Sequence, residues 1–119
     1  MKDSKIYSDC YQLTIQILHR TKNFPKALRP TLGRKMEEMS LSCLVNSKKA
    51  LIANSENRLK FLYEISSRLD ELKIYIQVAK DMEAINVAAL SELSELTKEI
   101  GKELGGFIKY EMRKTNTAR

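Results

Sequence analysis

Six basic side chains lie within sixteen consecutive positions of this sequence, residues 20–35, and no acidic residue interrupts them. The same stretch contains both prolines of the chain, Pro25 and Pro30, which stiffen its backbone. Each lysine or arginine that pairs with a phosphate releases condensed counterions, which gives salt-sensitive binding with little dependence on base sequence. Basic residues in loops are also often only solubilising, and that alternative stays open. The candidate phosphate-binding residues are Arg20, Lys22, Lys26, Arg29, Arg34 and Lys35.

The chain carries a formal net charge of +6, and the whole excess is in its first half. Residues 1–50 contain ten basic residues against four acidic ones, whereas residues 51–119 contain eleven of each. A local excess of positive charge favours association with polyanions such as RNA or DNA, and it does not specify a fold.

Residues that could support catalysis or bind a metal are few. His19 is the only histidine, and Gln16 stands three positions before it, where the Glu-x-x-His pairs of di-iron bundles have glutamate. We expect His19 at the surface, at the end of a helix. A cysteine or serine nucleophile would need a base beside it, and one histidine gives little support for such a pair. The sequence therefore predicts no enzyme, no catalytic residue, no metal and no cofactor.

Glutamates recur along the last third of the chain, with lysines between them. This interleaving is typical of a solvated helix face with salt bridges between successive turns, rather than of a set of metal ligands. The residues concerned are Glu92, Glu95, Lys98, Glu99, Lys102 and Glu103.

The two cysteines, Cys10 and Cys43, have no neighbouring cysteine or histidine at metal-binding spacing. Both fall at apolar helix positions, so we expect buried free thiols in a reducing compartment. The first residues lack the continuous apolar region of a signal peptide. No stretch approaches the roughly 20 apolar residues of a membrane span. These features predict a cytoplasmic protein that does not enter a membrane.

The apolar pattern predicts an all-α protein, in which four amphipathic helices form an antiparallel up-down four-helix bundle as one domain, residues 1–119. Asn54 or Ser55 would cap the third helix and Asn86 the fourth. On the first helix, the predicted core face consists of Tyr7, Cys10, Tyr11, Thr14, Ile17 and Leu18. The predicted helices cover about residues 4–21, 30–53, 56–80 and 86–113, and a frayed basic tail follows at residues 114–119.

Residues 20–35 then form the connection between the first two helices, and we call this stretch the basic corner. Several apolar residues fall outside the main stripes of the second and third helices, and exposed apolar patches usually mark an interface. The pattern therefore predicts a second buried face and self-association. The residues are Leu41, Val45, Ile52, Phe61 and Ile65.

Three glycines interrupt the predicted fourth helix: Gly101, Gly105 and Gly106. A glycine inside a helix costs up to about 1 kcal/mol relative to alanine, so these positions need a reason. We expect another helix to approach closely there, either within the bundle or from a second subunit. The same helix ends in basic residues, which suits the helix dipole and leaves a phosphate-binding end as the alternative.

Two motifs resemble a known family, the accessory variability proteins (Avd) of diversity-generating retroelements. The resemblance spans roughly residues 11–114. Broader relatives are four-helix proteins encoded by intervening sequences of bacterial 23S rRNA genes, but the chain lacks the Asn-Ile-Ala-Glu-Gly-like segment of that branch. Phe107 stands where the family pattern has a tryptophan. The first motif is Phe24-Pro25-Lys26 with Arg29 and Leu32-Gly33-Arg34, and the second is Ile100-Gly101-Lys102-Glu103-Leu104-Gly105-Gly106-Phe107-Ile108-Lys109.

This resemblance implies a four-helix bundle that assembles into a barrel-like homopentamer and binds a reverse transcriptase together with RNA or DNA, in support of mutagenic retrohoming. By position, it assigns nucleic-acid or partner binding to the six basic residues of the basic corner. Gly101, Gly105, Gly106 and Phe107 would then belong to helix packing or to the subunit interface. Two alternatives stay open: an oligomeric protein-interaction scaffold, and an rRNA intervening-sequence-encoded protein without a retroelement role.

Overall fold

The computed structural model describes the backbone of residues 4–117 and the side chains of residues 5–115. This part of the chain contains four α-helices and no strand, which confirms the predicted all-α fold. The molecule is elongated, with extents of 53 × 23 × 19 Å. None of its described helices is both long and apolar enough to cross a bilayer. The helices are α1 (Ser4–Thr21), α2 (Arg34–Ile52), α3 (Ser55–Asp81) and α4 (Val87–Thr117).

Contacts between helix ends show that neighbouring helices run antiparallel. Lys5, in the first turn of α1, reaches Glu103 in the second half of α4, whereas Arg20, at the other end of α1, reaches Glu92 near the start of α4. Each helix packs on the next one in the chain, and α1 also packs on α4. The four helices therefore enclose one core, and the basic corner lies at the same end of the bundle as the α3–α4 connection.

Two asparagine side chains fix where the later helices begin, as the sequence predicts. The Asn54 carboxamide oxygen accepts the Asn57 backbone N–H at 3.1 Å, and the Asn86 oxygen accepts the Ala89 N–H at 2.8 Å. Each bond satisfies one of the backbone donors that a helix start leaves without a partner.

Helix boundaries differ from the predicted ones at the basic corner and at the end of α4. The chain becomes helical near Pro30, as predicted, but as a π-helical turn over Arg29–Gly33, and α-helical geometry starts only at Arg34. A tighter 3₁₀ turn over Lys26–Leu28 precedes it. The predicted frayed tail is wrong over residues 114–117, because α4 continues to Thr117. Residues 118 and 119 of that predicted tail lie outside the described residues.

The core face of α1 is rotated from the predicted one. Ile6 and Leu13 are buried, while the exposed fractions of Tyr11 and Leu18 are 46% and 38%. Cys10, Thr14 and Ile17 are buried as expected, because the predicted core face and the observed one have these residues in common. The apolar band on α1 is wider than one face, and only packing against α2 decides which flank lies inside.

Some apolar side chains remain outside the core on α1 and α2. Leu41, Val45 and Ile52 are exposed, as the prediction of surplus apolar residues requires. Two members of the predicted surplus are not exposed: Ile65 is fully buried and Phe61 is partly buried against the core. Five of the exposed apolar side chains on the first two helices are called the α1–α2 face: Tyr11, Ile15, Leu18, Leu41 and Val45.

Small polar side chains and both thiols lie where α2 packs on α1 and α3. The Thr14 hydroxyl donates to the backbone oxygens of Cys10 at 2.8 Å and Ser40 at 3.0 Å, so its burial leaves no orphan donor. Cys10 and Cys43 are free and buried, as predicted. Burial raises the pKa of the Cys43 thiol to about 12, and that of Cys10 is also raised, chiefly by burial. Both therefore stay protonated and pack as small apolar groups.

At the opposite end of the bundle from the basic corner, Arg58 joins three helices. Its Nη2 donates to the backbone oxygen of Ala53, and its Nε donates to that of Ala50, both at 2.7 Å. These bonds satisfy carbonyls at the end of α2. Its Nη1 also lies 3.5 Å from a carboxylate oxygen of Glu111, a residue of α4 that is fully buried. The ring of Phe107 lies 6.0 Å from the guanidinium carbon. Arg58 thus holds the ends of α2 and α4 on α3.

We expect Arg58→Ala to lower the free energy of unfolding by about 3–5 kcal/mol, because it leaves the Glu111 carboxylate buried without its cation and removes the cap of α2. Urea denaturation followed by circular dichroism measures this. Arg68→Ala is the matched control on the same helix, since Arg68 makes only partly exposed ion pairs with Glu64 and Glu71. We expect the control to cost at most about 1 kcal/mol. Equal costs for the two variants would contradict this account of Arg58.

Candidate nucleic-acid interface

The basic corner is anchored by one buried aromatic side chain. Phe24 is only 1% exposed, although it lies between two turns of a connection rich in cations. The Thr21 hydroxyl donates to the Glu37 carboxylate at 2.5 Å, and the Leu28 N–H donates to the Pro25 oxygen at 2.8 Å. Burying Phe24 while closing these bonds gives the corner one defined conformation. Its cations are therefore presented from a rigid base.

Gly33 completes this anchor. It is buried, and a Cβ at this position would lie 3.5 Å from both the Phe24 ring and the Leu28 carbonyl oxygen. These are ordinary van der Waals distances, so the site is close-packed without requiring glycine. The π-helical turn therefore brings the backbone of Gly33 directly onto Phe24.

Five of the six predicted phosphate-binding residues are exposed, and they differ in how they are held. Arg29 is held in place, because its Nε donates to the Phe24 backbone oxygen at 3.0 Å. The Arg34 side chain is 72% exposed and lies 3.7 Å from Glu38, one turn along α2. The other three make no ion pair with any side chain among residues 5–115, and they are Lys22, Lys26 and Lys35.

Arg20 differs from the other five because it already has a carboxylate partner. Its Nη2 lies 2.7 Å from Oε2 of Glu92, and its Nε is buried with no hydrogen-bond partner among the described residues. The pair lies beside a cleft of about 550 Å³, between the end of α1 and the α3–α4 connection. His19 borders this cleft and is exposed at the end of α1, as predicted. In this structure Arg20 connects α1 to α4.

A second cleft, of about 660 Å³, lies between the start of α2 and the end of α3. Arg34 and Lys35 are on its border, and its lining includes Leu32, Tyr75 and Val78. We call it the α2–α3 groove. Sequence reasoning did not find Tyr75, because this residue falls outside the core stripe of α3 and carries no motif. Only the antiparallel packing of α2 on α3 places it next to the basic corner.

Among the described residues of this chain, the predicted close approach at the α4 glycines is not found. A Cβ at Gly101 would lie 3.9 Å from Lys73 Nζ and 4.0 Å from Leu69 Cδ2, which is side-chain contact and not backbone contact. At Gly105 and Gly106, a Cβ would meet nothing within 4 Å. The intramolecular form of the prediction is therefore wrong for these two glycines. The form that invokes a second subunit stays a prediction.

The glutamates of α4 do not form a uniformly solvated face, and this corrects the sequence-based interpretation. Glu103 is only 15% exposed, and its Oε2 lies 2.6 Å from the Lys5 ammonium, which also lies 3.0 Å from Asp9. Burial first, and then a hydrogen bond to Asp9, raises the pKa of Glu103 to about 7. Burial also acts to raise the pKa of Asp9. Hydrogen bonds to Glu103 and Lys5 outweigh this effect, so the Asp9 pKa lies below its ordinary value. Below about pH 7, Glu103 therefore carries the proton of this carboxyl pair.

Comparison with known proteins gives one family match. A family model described as bAvd-like matches residues 4–111. The match begins with the first residue of α1 and ends at the buried Glu111, so it includes the basic corner, the groove and the α4 glycines. No curated protein matches the chain.

The proton on Glu103 predicts a pH dependence of stability. Its folded pKa of about 7 exceeds the ordinary value of 4.5, so in this interval the folded chain holds a proton that the unfolded chain has released. This group therefore makes the free energy of unfolding fall as pH rises from about 4.5 to about 7. Glu103→Gln keeps a donor toward Asp9 and cannot ionise. We expect it to gain stability relative to the unmodified chain as pH rises through that interval.

Urea midpoints measured at closely spaced pH values test this expectation. Glu99→Gln is the control, because Glu99 is 47% exposed and lies 3.9 Å from Lys5, so its removal should leave the pH profile nearly unchanged. An unaltered profile for Glu103→Gln would show that Glu103 is ionised in the folded chain throughout.

Proposed function

This chain belongs to the bAvd-like family, and on that premise we propose that it is a non-enzymatic accessory protein that binds nucleic acid through its basic corner. We further propose that it acts in the cytoplasm with the reverse transcriptase of a diversity-generating retroelement, in mutagenic retrohoming. The family membership supports the reverse-transcriptase partner, because the sequence resembles the accessory variability proteins of such elements. The geometry of the basic corner supports the nucleic-acid partner.

The observation that carries the proposal is the rigid presentation of five exposed cations at one end of the bundle. Phe24 fixes the corner from inside, and the bond from Arg29 to the Phe24 carbonyl fixes one guanidinium from outside. The backbone of the corner is then already ordered, so phosphate binding has to order only the exposed side chains. Phosphate contacts release counterions and supply most of the affinity, while the reverse transcriptase supplies specificity.

Arg20 has a different role in this proposal from the other five basic residues. Its ion pair with Glu92 would have to break before it could bind phosphate. We therefore assign Arg20 to the positioning of the corner on α4, and phosphate binding to Lys22, Lys26, Arg29, Arg34 and Lys35.

Self-association is the second part of the proposal, and the α1–α2 face supports it. Leu41 and Val45 lie one helical turn apart on α2, and they are 42% and 49% exposed. The other members of the face are exposed apolar side chains of α1. Such a surface is better accounted for by a second copy of the chain than by solvent. We propose a homopentamer, in which five basic corners would add their fields. Gly105, Gly106 and Phe107 are the α4 positions that we assign to the subunit interface.

We expect Lys26→Glu combined with Lys35→Glu to weaken RNA binding strongly and to lower the slope of log K against log salt by about 2. Lys98→Glu combined with Lys102→Glu is the matched control, because both double variants lower the net charge from +6 to +2 and all four lysines are exposed. Fluorescence anisotropy with a short structured RNA, at several salt concentrations, measures both. Equal losses in the two variants would mean that net charge alone drives binding, against a site at the corner.

We expect Leu41→Glu combined with Val45→Glu to dissociate the oligomer, because carboxylates at a buried apolar interface lose their hydration. Light scattering coupled to size exclusion should then give the mass of a single chain, 13.7 kDa. Ile74→Glu combined with Met82→Glu is the control, since both residues are exposed apolar side chains outside the α1–α2 face. An unmodified chain that is itself monomeric would refute this part of the proposal.

A further inference from the structure

The α2–α3 groove combines an apolar wall, an aromatic ring and two cations on its border. We infer that it accepts one unpaired nucleotide, with the base against Tyr75 and the adjoining phosphate on Arg34 and Lys35. This inference rests on the proposed nucleic-acid function and narrows it to single-stranded or looped segments.

The groove has the size and the lining that a base requires. Its volume of about 660 Å³ lies in the range of small-molecule sites, and Leu32, Tyr75 and Val78 supply its apolar surface. Val78 is 41% exposed, and Tyr75 is partly buried, so both are accessible from solvent. An aromatic side chain in such a setting stacks on any base, because every base has a π face.

The ring of Tyr75 is held in place by a hydrogen bond. Its hydroxyl donates to Glu71, one turn earlier on α3, at 2.6 Å, and this bond raises the pKa of the phenol. The bond also removes the hydroxyl as a free polar group, so the ring face is the part of the side chain that remains for a ligand. A fixed ring costs less entropy to use as a stacking surface than a mobile one.

The charged residues of the groove favour a phosphate at one position and a base at another. Arg34 and Lys35 are exposed at the start of α2, and the contact of Arg34 with Glu38, at 3.7 Å, is a weak exposed pair. Glu38 also lines the groove beside Tyr75. Its carboxylate repels a phosphate from the interior but accepts hydrogen bonds from exocyclic amino groups, as carboxylates do with cytosine N4. The groove should therefore prefer cytosine and adenine to uracil.

The same charges argue against an acidic peptide in the groove, since its carboxylates would meet Glu38 and Glu71. The shape of the groove argues against a duplex, because stacked and paired bases cannot enter between the helices. A protein segment with an apolar side chain is the competing occupant that the experiment has to exclude.

Binding of equal-length oligocytidine, oligouridine and duplex RNA to the full chain tests the inference. We expect Tyr75→Ala to weaken oligocytidine binding about 5- to 100-fold, the range that loss of one stacked base gives, and to leave duplex binding unchanged. Tyr75→Phe keeps the ring and should keep the binding, which separates stacking from the hydrogen bond to Glu71. Tyr63→Ala is the control, because Tyr63 is an exposed tyrosine on the same helix that contacts Met112 on α4.

Photocrosslinking with a single 5-iodocytidine placed in oligocytidine, a probe that keeps the N4 amino group, should label Tyr75 or a neighbouring residue of the groove. An equal loss on single strand and duplex, no loss on either, or crosslinks confined to other surfaces would overturn the inference while leaving phosphate binding at the corner intact. Capture of purified reverse transcriptase that depends on Tyr75, without any change in RNA binding, would identify the groove as a protein site and would also overturn it. If neither single strands nor duplex bind the unmodified chain, the proposed function itself fails.

Discussion

The burial of Phe24 is the constraint on which the rest of the candidate interface depends. Six cations within sixteen residues repel one another, and nothing in a solvated loop would hold them together. Removing a phenylalanine side chain from water contributes roughly 2–3 kcal/mol, which opposes that repulsion, and salt weakens the repulsion further. Because Gly33 lies against both the Phe24 ring and Thr21, the burial of Phe24 also fixes the angle between the first two helices. Apolar packing inside the corner therefore positions the charge outside it.

The two ends of the bundle use arginine in different ways: one arginine is enclosed by other groups of the protein, and others are exposed to solvent. At one end, Arg58 is almost enclosed by α2 carbonyls, Glu111 and Phe107, and it has little left to offer a ligand. At the other end, Arg29 and Arg34 each make one weak or local contact and stay largely in water. Arg20 is intermediate, because it is held by Glu92 at the border of the basic corner. All of these guanidinium groups carry the same charge. The number of protein partners that each one has is therefore what distinguishes an arginine that holds the fold together from one that is available to a ligand.

Sequence reasoning located the helices well, because local signals set their limits. Asn54 and Asn86 cap helices where they were expected to, and the first helix ends at Thr21 as predicted. It failed where the answer depends on the register between helices. The wide apolar band of α1 allowed two core faces, and Ile65 was assigned to a surface although it lies in the core. Tyr75 lines the groove only because α2 packs beside it, and the Glu103 pKa depends on Lys5 and Asp9 of α1. In both cases the neighbours are more than 25 positions away in the sequence, and no spacing pattern encodes such contacts.

The burial of Cys10 and Cys43 makes this chain its own conformational probe. A protonated thiol enclosed in the core does not react with alkylating reagents, because only the exposed thiolate is nucleophilic. The rate at which either cysteine is labelled therefore reports how often the packing of α1 and α2 opens, in the same way that amide exchange reports local unfolding. Both helices carry the α1–α2 face, so the labelling rate in the presence of RNA or of a protein partner would follow the tightening of that region without any added dye or engineered residue.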